Sequence, residues 1–120
     1  YLTYDDRLEK KILEPYPEWI SFVHEFRKAT DAWSRQNECA APGVFTTRDA
    51  AGIRRYLDHK SFDDSKIIEY EFIETKDNEY LLYLSKRMER AFSSPSQSGA
   101  ALYRIFSERT AEIVRNGGQR

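Results

Sequence analysis

The chain has 120 residues, 19 Lys+Arg against 20 Asp+Glu for a net charge of −1, 40% hydrophobic residues and 14% aromatics. That apolar content excludes disorder, and the length gives room for one hydrophobic core but not two. The near-balance of charge excludes a global basic field for nucleic acid or an anionic membrane, and no apolar run approaches the roughly 18 residues of a membrane span.

Cys39 is the single cysteine. It excludes an intrachain disulfide and a cysteine-based zinc site, and it predicts a reducing, cytoplasmic compartment. His24 and His59 are too far apart for a local metal-ligand spacing, so no metal site is expected. The sequence begins at Tyr1 and its one methionine is Met88, which reads as a piece of a longer protein.

Pro15, Pro17, Pro42-Gly43, the serine-rich run at 93–99 and Gly117-Gly118 punctuate the chain. In residues 5–13, Leu8, Ile12 and Leu13 predict one face of a short helix that stops before Pro15. Over 18–36, Trp19, Phe22, Val23, Phe26, Ala29 and Trp33 recur at three- and four-residue steps. This predicts a long helix with Pro17 in its first turn, where a missing N–H costs nothing. Glu25, Arg27, Lys28 and Arg35 then lie on the opposite face, with solvation as their expected role.

After the Pro42-Gly43 break, Thr46 with Asp49 three residues on approximates a capping box. It opens a helix over 47–57 that buries Ala50, Ile53 and Tyr56 or Leu57. Residues 66–74 carry two patterns at once. Ile68, Tyr70 and Phe72 alternate with acids as in a strand, while Ile68 and Phe72 also pair at helical spacing. Helix is favoured, because no second strand exists to satisfy a lone strand's backbone. Leu81, Leu84, Met88 and Ala91 mark a helix over 77–92, capped by Asp77 or Asn78. A last one over 99–115 presents Leu102, Ile105, Phe106 and Ile113. No repeat period occurs. The expected architecture is a small all-α bundle of four to six helices, its core drawn from Trp19, Phe22, Val23, Phe26, Trp33, Ile53, Leu57, Leu81, Leu84 and Met88.

None of the five glycines stands in a phosphate-cradling loop, and no local nucleophile signature occurs. The domain is therefore not expected to be catalytic alone. Acids cluster between Asp63 and Glu79, and Glu69, Glu71 and Glu74 form a candidate face for a basic partner if they are not merely solvated. Arg48 falls in the first turn of its helix, where the positive end of the macrodipole disfavours a cation. It makes sense there if it meets an anion held by the exposed N–H groups, or if it pairs with a nearby acid.

Together, Trp19-Ile20-Ser21-Phe22-Val23, the Pro42-Gly43 break and Phe45-Thr46-Thr47-Arg48-Asp49-Ala50-Ala51 with Ile53 resemble the C-terminal lid of AAA+ ATPases of the MoxR-like branch. The likeness covers residues 18–92 and has no counterpart for 93–120. It implies that Arg48 is the sensor 2 arginine reaching the γ-phosphate, with Thr46 and Thr47 supporting it. It also implies an upstream P-loop domain of the same chain, with ATP and Mg²⁺ bound only in that larger protein, and it leaves a homo-oligomeric ring open. Walker A and Walker B elements are absent here. Two other readings stand beside it. One is a helical protein-interaction module using the acidic face. The other is a helix-turn-helix with Arg48, Arg54, Arg55, His59 and Lys60 as its basic stretch, a reading weakened because the acidic segment that follows would repel nucleic acid.

Overall fold

Phe22 is fully buried, and five aromatic rings surround it: Trp19, Phe26, Phe72, Phe92 and Phe106. Three of these partners come from segments far along the chain, so one ring on the long helix gathers most of the molecule. The structure, a computed structural model, describes residues 6–37, 47–59, 63–74 and 78–116. Among them are α1 (Asp6–Ile12), α2 (Pro17–Asn37), α3 (Thr47–His59), α4 (Asp64–Ile68), a π-helical turn (Glu69–Ile73), α5 (Asn78–Glu89) and α6 (Ala100–Arg115), with no strand. This is the all-α bundle expected from the sequence. α2 packs against α5 and α6, α6 also packs on α4 and the π turn, and α1 packs on α3.

The predicted core is buried except for Trp33, which is half-buried against the cluster. Leu13, Ile67, Ile68, Phe72, Ile73, Tyr80 and Phe106 complete it. Because α6 contributes Leu102, Phe106 and Ile113, the segment after residue 93 belongs to the same core as α2 and α5. Edge-to-face contacts of Phe72 with Phe22 and Phe26, at centroid separations of 5.0 and 4.8 Å, have the geometry aromatic quadrupoles favour.

Residues 66–74 are helical but change register. The Glu74 N–H donates to the Glu69 carbonyl at 2.8 Å, five residues back. Ile67-Ile68 and Phe72-Ile73 are two apolar pairs five residues apart, and all four side chains are fully buried. An α-helix brings positions three or four apart onto one face, whereas the i→i+5 turn aligns positions five apart. The burial of both pairs selects the π turn, and Tyr70 between them is left exposed. Asp63 starts this unit as an N-cap, accepting from the Lys66 N–H at 3.0 Å.

Two expectations are corrected. Leu8 is 46% exposed, and it is Glu9 that turns inward on α1. Arg27 is not on a solvated face: it is 6% exposed and meets Glu9 in a two-pronged pair, one prong being Nη2 to Oε2 at 2.9 Å. Gly99 precedes α6 with φ of +91°, and a Cβ there would meet Phe92 Cε1 at 3.0 Å and the Glu18 carbonyl oxygen at 3.1 Å. Only glycine fits both the backbone angle and this close approach of the 93–99 loop to the start of α2.

Candidate functional site

α2 and α5 lie antiparallel. Trp33, late on α2, touches Tyr80 and Tyr83, early on α5, while Glu25, Lys28 and Ala29 share a cleft with Lys86, Arg87, Arg90 and Ala91. That cleft has a volume of about 680 Å³. Its origin is steric: Ala29 and Ala91 are small, so the seam between the helices is recessed and longer side chains stand around it. Lys28, Lys86, Arg87 and Arg90 are exposed cations, and Gln97 from the following loop closes one end. Lys86 and Arg87 fall in the last turn of α5, where the helix dipole favours positive charge.

One carboxylate, Glu25, lines the cleft, and it reaches Lys28 at 3.7 Å. No ion pair joins Lys86, Arg87 or Arg90 to an acid among the described residues. Other arginines are spent internally. Arg27 is buried on Glu9, Arg109 reaches Glu69 at 2.6 Å and also pairs with Glu112, and Arg54 holds Asp58 at 2.7 Å. The cleft thus concentrates uncompensated positive charge on a chain whose total is −1. It can hold an anion by charge and by the guanidinium forks of Arg87 and Arg90.

The residues singled out from the sequence are placed differently. Thr46 lies outside the described residues, as do the side chains of Thr47 and Arg48; α3 begins at Thr47, so Arg48 belongs to its first turn. Glu69 and Glu71 are half-buried and Glu74 is exposed. The Glu69 carboxylate is engaged by Arg109, and its hydrogen bond and charge raise the Arg109 guanidinium above its ordinary value. Of the three acids, Glu69 is thus held within the fold while Glu74 stands exposed.

A second polar cluster ties α1 to α3. Arg54 donates from Nη1 to the Ile12 carbonyl at 2.5 Å, capping the end of α1, and from Nε to Asp58 at 2.7 Å. Tyr16 donates its hydroxyl to the other Asp58 oxygen at 3.0 Å. Partial desolvation pushes the Asp58 carboxyl upward, but the hydrogen bonds from Arg54 and Tyr16 and the Arg54 charge outweigh it and hold the group below its usual range. The hydrogen bond to Asp58 raises the Tyr16 phenol. Every member has a partner, so this cluster serves as a structural clasp.

Among the described residues no group of three or more His, Cys, Asp or Glu is arranged to hold a metal, and no helix is long and apolar enough to cross a membrane. No protein-family model matches the chain, and no match is found among curated proteins or solved structures.

Proposed function

We propose that this chain is a non-catalytic helical interaction module whose basic cleft between α2 and α5 docks an acidic segment of a partner protein. The observation that carries this reading is the convergence of Lys28, Lys86, Arg87 and Arg90 around one recess with Glu25 as its lone carboxylate. Charge complementarity of this kind steers encounter and selects partners more than it adds raw affinity. A short peptide suits the site better than a duplex, because tight nucleic-acid binding draws on phosphate contacts along an extended basic surface. The acidic residues 69, 71 and 74 are not the docking face on this reading.

The test is binding of a fluorescent glutamate-rich peptide, followed by anisotropy. Exposed charges contribute about 0.5–1 kcal/mol each, so the triple variant Lys86→Ala, Arg87→Ala, Arg90→Ala should bind roughly 10- to 100-fold more weakly. Unchanged affinity in the triple variant overturns the proposal.

The lid reading retains one supporting observation, the start of α3 at Thr47 with Arg48 in its first turn. It requires ATP turnover by a larger protein containing this domain, and Arg48→Ala there should lower turnover without unfolding the domain. Turnover equal to that of the parent would remove it.

A further inference from the structure

Apolar side chains stand one helical turn from residues that line the cleft. α5 places Leu82 four residues before Lys86, on the same helix face and about 6 Å along the axis, and Leu82 is 42% exposed. Tyr83 likewise precedes Arg87 by four residues, and on α2 Trp33 follows Ala29 by four. Trp33 and Tyr83 are half-buried, with ring centroids 5.3 Å apart, so their outer surfaces form an apolar shelf across the seam, with the exposed Leu82 next to Tyr83 along α5. Leu8, Tyr70 and Leu82 are the large apolar side chains left exposed among the described residues; Tyr70 stands among the acids Glu69, Glu71 and Glu74, whereas Leu82 has Lys86 one turn after it and Glu79 one turn before it.

Resting on the reading of the cleft as a docking site, we infer that its partner segment is amphipathic: an acidic stretch with one aliphatic or aromatic anchor about one helical turn from its acids. The anchor seats on Leu82, Tyr83 and Trp33 while the acids meet Lys28, Lys86, Arg87 and Arg90. The two halves do different work. Exposed charge pairs orient the segment and are screened by salt, whereas the anchor supplies salt-insensitive burial. This is the helix-in-groove mode of recognition, in which apolar contacts at helical spacing fix the register. A lipid surface fits less well, because the shelf flanks a recess between two helices and does not project as the apolar face of a membrane-lying helix does.

The experiment uses the full chain and two Trp-free glutamate-rich peptides, identical except that one carries a leucine and the other a serine at the anchor position. Affinity is measured by anisotropy and the environment of Trp33 by its emission, with Trp33→Phe identifying its share. The leucine peptide should bind wild type about tenfold or more tightly than the serine peptide and shift Trp33 emission to the blue. That advantage should vanish in Leu82→Ser, an exposed substitution that leaves the core untouched. Equal affinities of the two peptides, or an advantage that survives Leu82→Ser, overturn the anchor while leaving acidic docking intact. Failure of both peptides to bind overturns the docking reading itself. Tighter binding of a single-stranded RNA or of anionic vesicles, or self-association abolished by Lys86→Glu, overturns the choice of partner.

Discussion

Replacing Glu9 with alanine should destabilise the fold far more than an ordinary surface substitution. Glu9 and Arg27 are 5% and 6% exposed, and Glu9 offers both carboxylate oxygens to the guanidinium. Removing the acid leaves a buried cation without that partner, which costs about 3–5 kcal/mol. Set against a total stability of roughly 5–15 kcal/mol, that is a large share, and it corresponds to a fall in Tm of roughly 10–20 °C. The same principle gives the control. Glu9→Leu combined with Arg27→Met removes both charges and their desolvation, so the double variant should return to within about 1 kcal/mol of wild type. Urea unfolding followed by circular dichroism measures all three, with the slope checked so that a change in midpoint reports stability. A Glu9→Ala cost under about 1 kcal/mol would mean that the pair behaves as a surface salt bridge, and it would refute the argument.

Other expectations follow from the same geometry. Thr110 is 1% exposed on α6 and its hydroxyl has no hydrogen-bond partner among the described residues, so Thr110→Val should stabilise by about 1 kcal/mol in thermal unfolding. Gly99→Ala should destabilise by about 1–3 kcal/mol, because both the positive φ and the 3.0 Å approach of Phe92 oppose a side chain. The α1–α3 clasp should show in the pH dependence of stability. With the Asp58 pKa lowered from 3.8, its contribution is complete above that value and is lost as pH falls through the lower folded value. With the Tyr16 pKa raised from 10.0, its contribution is complete below that value and is lost as pH rises through the higher folded one. Asp58→Asn should therefore flatten the acid limb of the stability profile and Tyr16→Phe the alkaline limb; unchanged limbs would refute the clasp.

The sequence revealed what local periodicity encodes. The stripes of α2, α5 and α6 name most of the core, and the boundary before α6 is visible as Gly99. In residues 66–74 the alternation of Ile68, Tyr70 and Phe72 with acids competes with the helical pairing of Ile68 and Phe72, and neither pattern expresses the five-residue offset of Ile67-Ile68 and Phe72-Ile73 that the π turn buries. Arg27 was misread because its partner Glu9 lies 18 residues away on another helix, and polarity alone cannot report a pairing made by packing. The same limit hid the cleft. Lys28, Lys86, Arg87 and Arg90 form no motif along the chain, and they converge only because α2 and α5 run antiparallel across two small alanines. Arg48 drew attention for the opposite reason, since a cation in a first turn is a local anomaly. The sequence signal for the cleft is the run Lys86-Arg87 with Arg90, a cluster of cations at the end of a helix.

The measurement that tests the docking claim most directly is a titration of the isotopically labelled chain with the leucine-bearing acidic peptide, read as backbone amide shifts by NMR. Perturbations should map to residues 25–33 of α2 and to residues 82–91 in and just after α5, extend to Gln97, and recede as salt rises from about 50 to about 500 mM, where the screening length falls to a few ångströms. Perturbations centred on the start of α3 or on residues 63–74, with the α2–α5 seam unmoved, would contradict the account.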